Sequence, residues 1–321
     1  MNRRVILILL AALALAVPLS LLAGRVWIDP FAPETRNASV ILMQLRLPRA
    51  ALALALGAGL GAAGAAMQGF LRNPLADPGL FGIAPGAALG AVLSFWTGYA
   101  ASVFLLPVFA LIGAAGAMAL LALIAGREGG VALFTLAGLM ISSLAGALMS
   151  LAISLSPTPF AMSEIVTWLM GTLADRSWRE VWIATPFTLA GIGVLIAAGR
   201  SLDALTLGEA AARSLGVDPR RLQALMIAGI GLTVGAGVAV AGIIGFVGLV
   251  VPHLVRPLTD RRPSSLIVPS ALAGALLLLV ADCLCRILPL AGGELRLGIA
   301  LSLLGAPFFL HLLLRMRRGL A

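Results

Sequence analysis

Residues 78–126 read PGLFGIAPGAALGAVLSFWTGYAASVFLLPVFALIGAAGAMALLALIAG, and this stretch of 49 residues contains no formal charge. An α-helix needs about 20 apolar residues to cross the hydrocarbon core of a bilayer, so the stretch is long enough for two crossings. Only 11% of the whole chain is charged, against about 25% in a typical soluble domain. The sequence therefore predicts a polytopic membrane protein that forms one transmembrane domain over residues 1–321.

Similar uncharged runs extend over the rest of the chain. The run 222–255 is predicted to hold one full span and a shorter one, divided near Gly242–Gly245. Six other runs are predicted to hold one span each: 5–24, 50–71, 129–163, 181–199, 263–281 and 297–314. The fold class is therefore all-α, with about ten transmembrane helices. We interpret the first run as an uncleaved helix, because its apolar part is longer than that of a signal peptide.

The basic residues predict the orientation. All 22 are arginines, and the net charge is +9. An even number of spans places both basic termini on one side, which the positive-inside rule assigns to the cytoplasm. Because the arginines lie between apolar runs, we attribute them to membrane topology, and we expect no nucleic-acid partner.

The residue types that the sequence lacks exclude several chemistries. Without any lysine the chain has no P-loop, so any ATP that drives it must be hydrolysed by another polypeptide. The two histidines are far apart and form no HExxH motif, which excludes a zinc-protease site. Cys283 and Cys285 lie within an apolar run and are not expected to form a disulfide or a metal site. The sequence thus predicts no catalytic residue and no metal.

The cytoplasmic segment 201–222 contains more than a simple connection needs. Thr206 and Glu209 have the spacing of a capping box, which predicts a short helix that Gly216 ends. Asp218 and Pro219 then predict the start of the next span. Three apolar side chains on the short helix could face either a partner or the protein's own bundle: Leu207, Ala211 and Leu215.

Two further places are unusual for membrane helices. The outer segment 156–182 is predicted to contain a short helix capped by Ser163. Asp282 and Arg286 are four residues apart on one predicted helix, so they can form an intramembrane polar pair. Such a pair is consistent with a functional role and equally with a purely architectural one.

Several blocks of the sequence, in order along nearly the whole chain, resemble one family. They are Arg46-Leu-Pro-Arg49, Gln68-Gly-Phe-Leu-Arg-Asn-Pro-Leu-Ala-Asp-Pro-Gly79, Leu207-Gly-Glu209 with Leu215-Gly216, Gly245-Phe-Val-Gly-Leu-Val-Val-Pro-His-Leu-Val-Arg256 and Gly305-Ala-Pro-Phe-Phe309. These blocks resemble the FecCD-type (type II) permease subunits of ABC importers for vitamin B12, haem and ferric siderophores.

The resemblance implies a homodimer around a central path in a bacterial inner (plasma) membrane, embedded in lipid. Two ATP-binding cassette subunits would dock on the cytoplasmic side and bind ATP and Mg, while this chain binds no cofactor. A periplasmic or extracellular substrate-binding protein would deliver the cargo. The implied docking residues for that protein are Arg46, Arg49 and, more loosely, Arg286. The implied ATPase-coupling residues are Leu207, Gly208, Glu209, Arg213, Leu215 and Gly216.

Substrate identity is not determined by these motifs. The resemblance implies a metal chelate, with an iron–siderophore or haem placed first and cobalamin next, carried along a path lined largely by residues 129–155. The chain departs from the family pattern at Glu294-Leu-Arg-Leu-Gly298, where Arg296 replaces a proline. The alternative is a stand-alone secondary transporter or channel, which would need carboxylates near the membrane midplane. Asp282 is the only candidate in the sequence.

Overall fold

The computed structural model describes residues 3–24, 36–99, 102, 104–126, 130–156, 158–288 and 293–318. Within these residues the chain is helical and contains no strand. The helices are α1 Arg3–Leu22, α2 Arg36–Val40, α3 Leu47–Phe70, α4 Ile83–Trp96, α5 Leu105–Ala125, α6 Val131–Ser154, α7 Pro159–Leu169, α8 Trp178–Leu205, α9 Glu209–Ser214, α10 Pro219–Ile230, α11 Ala236–Ala241, α12 Val247–Val255, α13 Pro263–Ile287 and α14 Leu297–Arg318.

Two π-helical turns join helices that run on from each other. Ile41–Arg46 connects α2 to α3, and Gly231–Gly235 connects α10 to α11. The first of these turns directly precedes Pro48, which has no N–H to continue the α-helical ladder. Each joined pair is therefore one continuous span.

The number of spans agrees with the sequence prediction. Among the described residues, eight helices are long and apolar enough to cross a bilayer, and α4 and α12 are shorter apolar helices that bring the total to ten. The predicted division of 222–255 is confirmed, because α11 ends at Ala241 and α12 begins at Val247. The predicted all-α membrane fold is thus confirmed.

The helix α3 forms the centre of the bundle. In the most apolar part of its span 72% of the residues are buried, against 11% in α1. Glycines allow this close packing: a Cβ on Gly61 would lie 2.0 Å from the carbonyl oxygen of Ser270, and one on Gly64 would lie 2.0 Å from that of Gly248. Small residues at four-residue spacing let helix backbones approach this closely in lipid. The neighbours α8, α12 and α13 therefore pack directly on α3.

Candidate functional site

A cluster of charged side chains joins the helix ends on the predicted outer side. The fully buried carboxylate of Asp282 accepts hydrogen bonds from Nε of Arg49 at 2.9 and 3.0 Å. Nη2 of Arg49 lies 2.8 Å from the same carboxylate, and Nε of Arg286 lies 3.1 Å from its other oxygen. Arg49 also contacts Glu294, with 2.8 Å between Nη1 and Oε2. The paired guanidinium groups offset the cost of burying the Asp282 charge.

Arg286 and a further arginine, Arg46, bind the end of α1. Nη1 of Arg46 donates to the carbonyl oxygens of Leu21 and Leu22 at 2.7 and 3.2 Å. Nη1 of Arg286 donates to the carbonyl oxygen of Ala23 at 3.1 Å. The last carbonyls of a helix have no partner within the helix and carry partial negative charge, so cations stabilise them. The cluster therefore holds α1, α3 and α13 together at one end.

The structure places the three candidate docking residues inside this cluster. Arg46, Arg49 and Arg286 are only 7%, 9% and 4% exposed. Their internal partners are the carbonyls and carboxylates described above. Glu294 is the accessible member, since its side chain is 32% exposed. A partner carboxylate would thus reach Arg49 most directly by replacing Glu294.

On the predicted cytoplasmic side, segment 201–222 folds as a short helix between two long ones. The helix α9 lies where the sequence predicted one, but its predicted capping box is wrong. The residue before α9 is Gly208, which has no side chain to cap it, and the hydroxyl of Thr206 donates to the carbonyl of Asp203 at 2.6 Å. Gly208 occupies the position before the helix with a positive φ of 102°, a backbone conformation that glycine adopts readily.

The other two local predictions in this segment are confirmed. Gly216 follows α9 with a φ of 84°, and its N–H donates to the carbonyl of Arg213 at 2.9 Å. The side chain of Asp218 caps α10 through the N–H of Arg220 at 2.9 Å, and Pro219 is the first residue of that helix. The segment is therefore bounded by its own local interactions.

The surface of the segment shows which side chains are available to a partner. Leu207 is 67% exposed and Leu215 is 64% exposed, so neither rests on the protein's own bundle. Arg213, which lies between the two leucines in the sequence, is also exposed, whereas Ala212 is buried against the core. The exposed leucines make the partner interpretation the better one for these two residues.

Two acidic side chains of the segment contact the starts of distant helices. Asp203 accepts from the backbone N–H of Ser264 at 2.8 Å and from its hydroxyl at 2.5 Å, in the first turn of α13. Glu209 accepts from the backbone N–H of Val131, the first residue of α6, at 3.4 Å. Carboxylates stabilise helix N-termini through free N–H groups and the helix dipole. Neither contact is predictable from neighbouring residues, because the partners lie 61 and 78 residues away in the chain.

Two of the sequence blocks that carry the family resemblance pack on each other. The amide of Gln68 donates to the carbonyl of Leu249 at 3.2 Å and accepts from Nη2 of Arg256 at 2.7 Å. Pro78 lies against Gly248, where an added Cβ would meet its ring at 2.7 Å. The blocks Gln68–Gly79 and Gly245–Arg256 thus form one structural unit.

The outer segment 156–182 begins its helix earlier than predicted. The cap of α7 is Thr158, whose side chain accepts from the N–H of Ala161 at 3.1 Å, so the predicted cap at Ser163 is wrong. Proline at the first position of α7 favours this earlier start. Beyond α7, burial lowers the pKa of the Arg176 guanidinium, and the neighbouring Arg296 lowers it further. Arg296, the departure from the family pattern, therefore adds positive charge beside another arginine.

Comparison with known proteins agrees with this architecture. A model of the FecCD transport family matches residues 5–315. The vitamin B12 import system permease protein BtuC of Escherichia coli O9:H4 (strain HS) is 39% identical over 323 residues, covering 99% of this chain and 97% of that protein. An uncharacterized ABC transporter permease protein, YvrB of Bacillus subtilis (strain 168), is 41% identical over 285 residues, covering 87% and 80%.

A solved structure gives the same result at the level of the fold. It is an inward-facing conformation of an ABC transporter of the metal-chelate type, with a TM-score of 0.87 and 32% identity over 98% of this chain and 99% of that one. The fold, the spans and the matching relatives define a multi-pass permease of the inner membrane. The chain belongs to the FecCD transport family and is the transport subunit of an ABC importer. Membership implies separate ATPase subunits and a substrate-binding protein as partners.

Proposed function

We propose that two copies of this chain form the permease of an ABC importer that takes up a metal chelate by alternating access. A substrate-binding protein delivers the chelate from outside. Two ATP-binding cassette subunits bind ATP and Mg in the cytoplasm, while this chain binds no cofactor. Both termini lie in the cytoplasm, so segment 201–222 faces the ATPases.

The observation that carries this proposal is the exposed surface of segment 201–222. Leu207 and Leu215 expose apolar side chains on either side of α9 at the predicted cytoplasmic surface, and this exposure supports a contact with a partner protein. Gly208 and Gly216 bound the short helix α9 on either side, and Arg213 supplies a charge between the leucines. Membership of an ABC family makes an ATPase the partner that fits this surface.

The face of α6 that points away from the core fits a transport path. One strip of its exposed residues recurs at helical spacing and carries small, hydroxylic or thioether side chains, namely Met140, Ser143, Ala147, Ser150 and Ser154. The exposed residues beside this strip are leucines, among them Leu136, Leu144 and Leu151. The hydroxyls of Ser143 and Ser150 donate to carbonyls of their own helix, each at 3.0 Å. Such a wall offers few strong contacts, which suits a large chelate that must not be trapped. Gly129, the first residue of the predicted stretch 129–155, lies outside the described residues.

The cargo we propose is a metal chelate of the siderophore, haem or cobalamin kind. The resemblance in sequence alone placed iron chelates first and cobalamin next. The 39% identity with the BtuC permease of a vitamin B12 import system now favours testing cobalamin first. A stand-alone secondary transporter or channel is not favoured, because Asp282 is paired with Arg49 and Arg286 and is not free to bind a coupling ion.

Arg46, Arg49 and Arg286 remain our proposed docking residues for the binding protein, with one structural condition. Because Glu294 already occupies Arg49, an acidic residue of the binding protein has to compete with it. Glu294→Gln should therefore strengthen docking by removing the internal competitor, since charge complementarity at an interface favours association. Binding of the purified substrate-binding protein to the permease complex would measure this, and weaker binding by the variant would contradict it.

The test of the proposed function is purification of the tagged chain from its own host after gentle extraction, followed by mass spectrometry. We expect an ATPase with a P-loop in a one-to-one ratio with this chain. The purified complex is then reconstituted in liposomes with its binding protein and tested for ATP-dependent uptake of cyanocobalamin, a ferric hydroxamate and haem. Recovery of the chain without any ATPase, or uptake that does not require ATP, would contradict the proposal.

A further inference from the structure

The carboxylate of Glu209 bridges two parts of the molecule that belong to different steps of transport. Glu209 is the first residue of α9, in the segment that we propose to contact the ATPase. Its Oε1 accepts from the backbone N–H of Val131, the first residue of α6, at 3.4 Å. The helix α6 is the proposed wall of the transport path. One side chain thus joins the ATPase-facing surface to the path.

The start of α6 depends on this contact because of its own sequence. The residue before the helix is Gly130, which has no side chain to cap the first N–H groups. An ideal Cβ built on Gly130 would lie 3.4 Å from Oε2 and 3.5 Å from Oε1 of Glu209, so the carboxylate sits directly over this end. The negative charge there also interacts favourably with the positive end of the helix dipole. Glu209 therefore serves as the cap of α6 from another element.

A small cavity lies beside this contact. The cavity has a volume of about 40 Å³ and lies between segment 201–222 and the first turn of α6. Its walls include Phe70, Val131, Leu205, Arg213, Leu222 and Gln223, with Glu209 reaching across. The Glu209 side chain therefore links the segment to the first turn of α6 across this gap by a hydrogen bond.

Asp203 provides a useful contrast within the same segment. It caps α13 with two short bonds, at 2.8 and 2.5 Å, and α13 packs on the central helix α3. Glu209 makes one longer bond to a helix whose outer face is exposed. The first contact fixes the segment to the core, and the second connects it to α6, which is 28% buried over its most apolar part, against 61% for α13.

We propose that Glu209 is a positioning residue that transmits movement of segment 201–222 to the cytoplasmic end of α6. This inference rests on the proposed function, because it requires an ATPase that moves the segment. It assigns Glu209 an internal partner, α6, where the resemblance implies a contact with the ATPase. The two roles make opposite predictions for assembly.

The test uses the complete complex with its ATPase, in a chain whose cysteines Cys283 and Cys285 are replaced by alanine. A spin label at Ser143 of each copy reports the distance across the path, with and without ATP, and the ATPase rate is measured on the same samples. In Glu209→Ala we expect the ATPase to remain bound and active, while the ATP-dependent change in distance is lost. Glu209→Gln keeps an acceptor for the Val131 N–H and should retain part of the change.

The matched control is Asp218→Ser in the same segment. It removes one negative charge, but serine still caps α10, and the side-chain bond seen for Asp218 within the described part of the chain is to the start of its own helix. We expect this variant to keep the full ATP-dependent change. A normal change in Glu209→Ala would overturn the inference, as would loss of the bound ATPase in that variant, because the residue would then act by contacting the ATPase.

Two further outcomes keep the inference separate from the proposed function. If Glu209→Ala does not accumulate, Glu209→Gln alone decides: a smaller change in distance with the ATPase still bound supports the inference, and an unchanged one refutes it. If the wild-type chain binds no ATPase at all, the proposed function has failed before any variant is measured.

Discussion

The charged groups at the two ends of the bundle are organised in different ways. At the outer end Arg49 and Arg286 are buried and both form ion pairs with the buried Asp282. At the cytoplasmic end Asp203 and Glu209 are partly exposed, and each contacts the start of one other helix. The outer arrangement joins three helices through several bonds, whereas each cytoplasmic contact joins the segment to one helix.

This difference indicates which end is built to stay fixed. Breaking a buried ion pair leaves a desolvated charge without compensation, so the outer cluster resists separation of its helices. The single long bond of the partly exposed Glu209 can be exchanged for water at little cost, whereas the two shorter bonds of Asp203 keep the segment attached to α13. The structure therefore favours a rigid outer end and an adjustable cytoplasmic end.

The largest effect is expected from Asp282→Ala in the outer cluster. The substitution leaves Arg49 and Arg286 buried next to each other with less compensating charge, which should lower the free energy of unfolding by about 3–5 kcal/mol. Glu294→Gln is the control, because this carboxylate is 32% exposed and its pair with Arg49 should contribute about 1 kcal/mol or less. Thermal unfolding of the purified complex measures both. Equal stability of the two variants would contradict the expectation that the buried Asp282 contributes more to stability than the accessible Glu294.

The sequence was sufficient to predict the fold, for a clear physical reason. A bilayer requires long apolar helices, so the spans are visible as uncharged runs, and even the break near Gly242 could be placed. Motifs of neighbouring residues could also be predicted. Gly216 ends α9 and Asp218 caps α10, and each contacts residues only a few positions away in the sequence. The i,i+4 spacing of Asp282 and Arg286 likewise allowed the ion pair to be proposed.

The candidate site was predicted less completely, because its decisive contacts are distant in the chain. Thr206 and Glu209 have the spacing of a capping box, but the carboxylate instead reaches Val131, 78 residues away. Nothing local distinguishes these two outcomes. The three outer arginines were expected to point at a partner, and only the folded chain shows that Asp282 also lies beside Arg49 and that the end of α1 lies beside Arg46. Tertiary contacts of polar side chains have no periodic signal in a single sequence.

A smaller effect is expected at the cytoplasmic end from Asp203→Ala. It removes both bonds to Ser264 from the first turn of α13, and loss of a helix cap costs about 1–2 kcal/mol. Ser264→Ala is the matched variant, since it removes the hydroxyl and keeps the bond from the backbone N–H. Thermal unfolding should rank Asp203→Ala below Ser264→Ala, and both should be more stable than Asp282→Ala. The reverse order would show that the cytoplasmic end is the more rigid of the two.

The smallest effect on stability is expected from Leu207→Glu and Leu215→Glu. These variants test most directly whether the ATPase acts on the cytoplasmic end of the bundle. Both side chains are about two-thirds exposed, and surface substitutions usually change stability by about 0.5 kcal/mol or less. Recovery of the ATPase with the tagged chain should nevertheless fall strongly, because a carboxylate cannot be buried in an apolar contact without losing its hydration. Leu258→Glu is the control, since Leu258 is 56% exposed but lies outside segment 201–222. Full ATPase recovery with both variants would mean that the exposed surface of the segment has another partner, and that the adjustable end is not the end the ATPase drives.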